Sequence, residues 1–227
     1  MNGINRRAVL AGGAAGIAII TLPGCVTGLP TIDTTEVIRR LLLRASESAF
    51  ARLIEPGGFW DRQVGQLGLD NLLGSRSDVL GTILTSSLVT DRLEAAFADI
   101  AVEGSYVAAR VVREAVDTIG WENALALVRG APDAATQDLR ARIGTGLIDA
   151  IAPELTHAIR IANEPLVAQL VSSLTGADLG GMANELASAI SDAVWTQIAR
   201  EEVAIRADPQ ATQDPLLIAA FGIGPQL

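Results

Sequence analysis

Apolar residues recur at intervals of three and four along almost the whole chain, and no stretch alternates strictly between turn residues as a half-buried strand would. The pattern predicts a first helix over Thr34–Ile54. Ile38, Leu42, Ala45, Ala49 and Leu53 form one stripe, Phe50 and Ile54 widen it, and Asp33 with Glu36 forms a capping-box-like start. Glu55-Pro56-Gly57-Gly58 ends it. Residues 59–74 read as irregular or short helix. Ser77–Ala101 reads as helix on Leu80, Ile83, Leu84, Leu88, Leu93, Ala96, Phe97 and Ile100, and Ser105 as the cap of a further helix through Ile119. A short helix follows over Trp121–Val128. Asp133 is read as the N-cap of a helix through Ile151, which Pro153 breaks or kinks before Glu154–Ala162 continues. Asn163 is a plausible cap for a helix that starts at Glu164-Pro165 and runs to Leu174. Gly176 and Gly180-Gly181 read as a turn region before a long amphipathic helix, Met182–Ala207, carrying Leu186, Ile190, Val194, Trp195, Ile198 and Val203. Asp208-Pro209 stops that helix, and Pro215–Phe221 closes the chain. No repeat period appears. The expected fold is a single all-α domain, residues 33–227, of about eight to ten helices.

The N-terminus follows a different logic. Arg6-Arg7 precede an uncharged run of 15 residues, Ala8–Leu22, too short for a comfortable membrane span but suited to a signal peptide. Arg6-Arg7-Ala-Val-Leu resembles a twin-arginine export signal. Leu22-Pro23-Gly24-Cys25 resembles a lipobox, in which Leu22 and Gly24 fit and Pro23 departs from the usual small or β-branched residue. Cys25 is the only cysteine in the chain and falls where the apolar run ends. The expectation is a leader over residues 1–24, lipidation of Cys25, and a short tether over residues 25–32 that reaches roughly 25–30 Å at full extension. The acyl chains would hold the protein on a bacterial membrane, facing the periplasm. Val26 after the cysteine favours the outer membrane over the inner by resemblance to the usual sorting rule.

Composition narrows the chemistry. Of 227 residues 49% are hydrophobic, enough for a core. One Cys excludes an intramolecular disulfide, and with one His and two Met it leaves too few ligands for a Cys/His zinc site, an iron–sulfur cluster or a blue-copper site. Lysine is absent, which excludes a P-loop lysine and a Schiff base. The formal charge of −9 argues against general nucleic-acid binding. Loss of the leader takes Arg6 and Arg7 with it and leaves 15 arginines against 26 acidic residues.

Three segments resemble a known family when taken together. They are Pro56-Gly57-Gly58-Phe59; Trp121–Gly130 followed by Asp133-Ala134-Ala135-Thr136; and Glu201–Pro209 with Asp214-Pro215-Leu216-Leu217 and Phe221-Gly222 behind it. In order and spacing they resemble the exported helical bacterial proteins catalogued as domain of unknown function 4197, across most of residues 34–222. The sequence departs from the family at Ala131-Pro132. The resemblance implies an exported all-α fold and carries no activity or catalytic residue.

The candidate chemical sites are thin. His157 with Glu154 has the Glu-x-x-His spacing of di-iron bundles, but a second such motif cannot exist with one histidine. No Gly-x-Ser-x-Gly elbow supports a Ser-His-Asp triad. The carboxylate pairs Asp91/Glu94, Glu114/Asp117 and Glu201/Glu202 could do acid–base work, yet acidic helices produce such pairs by chance. Asp208–Asp214 lacks the Gly and distal Glu of an EF-hand, and Gly176–Gly181 follows no strand, as a dinucleotide loop would. No catalytic residue, metal or cofactor is expected. Glu202 and Arg206 form an i,i+4 pair in the favourable direction, and Glu201, Glu202, Arg206 and Asp208 are a candidate interaction surface. Arg39, Arg40 and Arg44 are candidates for anionic headgroups, with ion pairs to Glu36 and Glu47 as the plainer use. The functional expectation is a non-enzymatic scaffold or envelope-associated protein whose partner is an unknown envelope protein. The alternatives are a carrier of an apolar small molecule or lipid between its helices and, behind it, a carboxylate hydrolase.

Overall fold

The computed structural model describes residues 32–67, 87–173 and 176–222, with the side chains of 173 and 176–178 left aside. The expected helices at residues 77–86 and the start of the chain, including Arg6, Arg7, Leu22, Gly24 and Cys25, lie outside the described residues. Every regular element among them is helical: α1 (Thr34–Leu53), α2 (Phe59–Leu67), α3 (Ser87–Thr118), α4 (Ala124–Arg129), α5 (Ala134–Ile143), α6 (Gly146–Ile161), α7 (Pro165–Ser173), α8 (Gly176–Ala207), a 3-10 turn (Pro209–Thr212) and α9 (Pro215–Phe221). They belong to one compact unit.

The first helix forms as its pattern dictates. The Asp33 carboxylate accepts from the backbone N–H of Thr35 (3.0 Å) and Glu36 (3.4 Å), satisfying donors that a helix start leaves open. The stripe Ile38, Leu42, Ala45, Ala49 and Leu53 is wholly buried, joined by Val37 and Leu41. α1 packs chiefly on α8, α8 on α6, α6 on α3, and α3 on α1 and α2. These four long helices enclose a continuous core, including Phe97, Ile151, Leu186 and Ile190. α4 and α5 close against α1 and α8, and α9 covers the N-terminal part of α1 with the 3-10 turn.

Several boundaries differ from the sequence expectation, each for a physical reason. Ser105 caps nothing: α3 runs unbroken from Ser87 to Thr118. The buried Ser105 hydroxyl donates to the Ala101 carbonyl (2.9 Å) and accepts from Trp60 Nε1 (2.9 Å), so the polar group that suggested a helix start instead fastens α2 to α3. The break expected at Pro153 lies earlier, at Gly144, whose φ of +57° suits glycine alone at low cost, and Pro153 sits inside α6. Gly180-Gly181 lies within α8, because neighbouring Leu179, Met182 and Ala183 bury against the core. α7 begins at Pro165, where the missing N–H costs no bond, so Glu164 rather than Asn163 directly precedes the helix. Leu88 and Val203, expected on apolar stripes, are exposed.

Gly104 marks the tightest crossing. A Cβ there would stand 2.6 Å from Ile190 Cδ1 and 3.1 Å from Leu155 Cδ2, so α3, α6 and α8 meet where α3 has no side chain. Gly104→Val is expected to lower unfolding stability by about 1–3 kcal/mol through overpacking. Urea melts check it, and an unchanged midpoint would show that the three helices have slack at this crossing.

Candidate functional site

Two features concentrate polar chemistry among the described residues. The first is the corner where α4, α5, α8 and α9 meet. The turn at Gly130–Asp133 reverses the chain between α4 and α5, so the last carbonyls of one helix and the first N–H groups of the next lie close together. Those groups carry opposite partial charges and lack partners within their own helices. Asp133 precedes α5 without a side-chain bond to its backbone and holds Gln137 Nε2 instead (2.9 Å). The cap comes from α8: the Glu202 carboxylate accepts from Ala135 N (3.1 Å), Thr136 N (2.7 Å) and Thr136 Oγ1 (2.5 Å). Arg206, one turn further along α8, donates Nε (2.9 Å) and Nη2 (2.7 Å) to the same carboxylate. Its remaining N–H groups reach the carbonyls of Val128 (2.9 Å) and Leu127 (3.0 Å) at the end of α4. The guanidinium also lies 4.7 Å from the Phe221 ring centroid on α9.

This arrangement corrects the expected interaction surface. Glu202 is fully buried and the Arg206 side chain only 10% exposed, so both are spent inside the fold. Glu201 turns the other way and pairs with Arg52 at the end of α1 (3.1 Å). Asp208 is exposed and precedes the 3-10 turn. Glu201 and Glu202 therefore diverge and do not form an acid–base pair.

The arginines of α1 are also engaged. Arg39 and Arg40 pair with Glu36 (3.1 and 2.8 Å), Arg40 reaches Asp214 (3.3 Å), and Arg44 meets Glu47 (3.7 Å) and the Thr212 carbonyl (3.3 Å). Asp214 caps α9 by accepting from Leu216 N (2.8 Å) and Leu217 N (3.4 Å). Partial burial pushes its carboxyl up, but the two backbone donors and the Arg40 guanidinium outweigh this and hold it below its ordinary 3.8. The Asp208–Asp214 stretch thus docks α9 on α1.

The second feature is an open groove of about 810 Å³ between α3 and α6. Ala96, Ile100, Val107, Leu155 and Ala158 line it with apolar surface, and Asp99, Glu103, Glu154 and His157 line it with polar groups. His157 and Glu154 are exposed in this groove. No group of three or more His, Cys, Asp or Glu among the described residues could hold a metal ion, and no described helix is long and apolar enough to cross a membrane. Sequence reasoning missed the groove because it is a product of how two helices lie together. It missed the Thr136–Glu202 contact for the same reason.

The fold and its sites define an all-α protein organised around a buried ion pair, with an acidic, apolar-floored groove on its flank. Residues 28–222 match the family described as protein of unknown function (DUF4197), and the chain belongs to that family. No curated protein and no solved structure matches it.

Two measurements follow. Glu202→Ala and Arg206→Ala should each cost about 3–5 kcal/mol, because each strands a buried charge, while the double variant should lose clearly less than their sum. A double-mutant cycle by denaturant unfolding checks this, and additive losses would show that the two residues are uncoupled. Asp214→Asn should be less stable than wild type near neutral pH. Because the folded carboxyl titrates lower than the unfolded one, that difference is fully present above the ordinary value of 3.8 and is lost as pH falls through the lower folded value. Melts from pH 7 to pH ~2.5 would show the gap closing only on the acid side; a gap constant throughout would assign the loss to packing.

Proposed function

We propose that this protein is a lipid-anchored, periplasm-facing helical module that acts by contact with another envelope protein, binding at the groove between α3 and α6, and not by catalysis. The observation carrying this reading is the groove itself: an open recess of about 810 Å³ with an apolar floor, on a body with a continuous buried core. The groove lies open to solvent instead of closing between the helices, which weighs against the alternative of a carrier that encloses a lipid. Anchoring rests on Cys25 behind its uncharged run and on Arg6-Arg7 before it. The short tether then keeps the start of α1 close to the bilayer, where Arg39, Arg40 and Arg44 can exchange carboxylate partners for anionic headgroups. Val26 favours the outer membrane over the inner.

Mass spectrometry of the native protein should find a mature chain that begins at acylated Cys25. A photo-crosslinker at Ala158, on the groove, should capture one reproducible envelope protein, whereas the same group at exposed Leu125 on α4 should not. An intact Met1 with a bare thiol at Cys25 would end the anchoring claim. Identical products from both positions would end the claim for the groove.

A further inference from the structure

Taking the α3–α6 groove as the contact site, we infer that its occupant is a basic amphipathic helix of a partner protein. Three observations converge on this chemistry.

The first is shape. On α3 the groove runs from Arg92 to Val107, about 22 Å of helix. The floor residues Ala96, Ile100 and Val107 recur at helical spacing, and Ala158 and Ala162 oppose them from α6 and its end. The small residues Ala96 and Gly104 on α3, with Ala158 and Ala162 opposite, leave a trough in which a third helix can seat apolar anchors at i, i+4 and i+7. At its edge Ile161 is 61% exposed, a large apolar side chain that an occupant would cover.

The second is charge. Asp99 and Glu103 stand one turn apart on α3, and Glu154 lies on the α6 side. None of the three makes an ion pair or hydrogen bond with a described residue, and none lies on the Glu202–Arg206 corner. The groove's one arginine, Arg92, is already paired with Glu164 (2.9 Å). Like charges at i,i+4 disfavour a helix by a few tenths of a kcal/mol, and a cation between them removes that cost.

The third is the combination. An apolar floor alone would admit any greasy segment, and carboxylates alone would collect counterions. Carboxylates on both walls of an apolar floor fit a helix with apolar residues on one face and Lys or Arg on its flanks.

The test uses purified full-length protein and a fluorescent synthetic peptide of Leu, Ala and Lys, about 15 residues long to match the groove. Its counterpart carries Glu in place of Lys. Anisotropy should show binding of the Lys peptide and not of the Glu peptide. Glu103→Lys with Glu154→Lys should weaken binding roughly tenfold or more, while the same charge change at exposed Asp117 and Glu122, outside the groove, should weaken it less than about twofold. Ala158→Trp, which fills the floor without changing charge, should also abolish binding, with circular dichroism and melting confirming that each variant folds. Equal losses from both charge reversals, equal binding of the Glu peptide, or full binding by Ala158→Trp would each overturn the proposal. Displacement of the peptide by dodecylamine at equal concentration would overturn it too, marking a small-molecule site. The underlying contact reading is separable: if crosslinks from the groove in envelopes survive the Glu103/Glu154 reversal, a partner binds there but is not a basic helix.

Discussion

The buried pair of Glu202 and Arg206 is the contact on which the arrangement of four helices, α4, α5, α8 and α9, turns. A buried ion pair does not in general stabilise a fold more than well-packed apolar residues would. Here its value lies in what each partner does with its other bonds. Glu202 supplies the cap that Asp133 does not, and Arg206 supplies the donors that the end of α4 lacks. One pair on α8 thus neutralises both poles of a tight helix–turn–helix and places a cation against Phe221 of α9. Satisfied at every atom, the pair is orienting. With either partner removed, a largely buried charge is left without its counter-charge.

Much of the architecture was legible because helices bury stripes. The pattern from Ile38 to Leu53 and the cap at Asp33 correspond directly to α1, and Leu186, Ile190, Val194 and Ile198 to the inward face of α8. Local signals misled where tertiary packing outweighed them. Gly104-Ser105 looks like an interruption and is a crossing point, since the missing side chain lets α8 approach and the hydroxyl finds Trp60. Gly180-Gly181 resembles a turn, but the apolar residues around it hold it in helix. Pro153 is a weaker stop than Gly144: its lost N–H bond is carried by the burial of Ile151, Ala152 and Leu155 around it, whereas a residue at positive φ cannot continue a helix.

The candidate sites were legible only as residue types. The spacing of Glu202 and Arg206 reveals a pair but not its surroundings, and the surroundings decide whether it is a surface or an internal clasp. Glu154 and His157 invite a metal reading that one histidine cannot sustain. Their position beside Asp99 and Glu103 emerges only once α6 lies along α3. Membership of the DUF4197 family accounts for residues 28–222 as a unit.

The clasp also bears on synthesis. Ala135 and Glu202 are 67 residues apart, and Glu202 and Arg206 are among the last described residues of the chain. A nascent polypeptide on the ribosome can wind α4 and α5 early, but their facing ends stay unclasped until the C-terminal part of α8 has been made. A chain broken off before Glu202 would thus lose its lock, so that incomplete products would differ from finished ones in rigidity as well as in length.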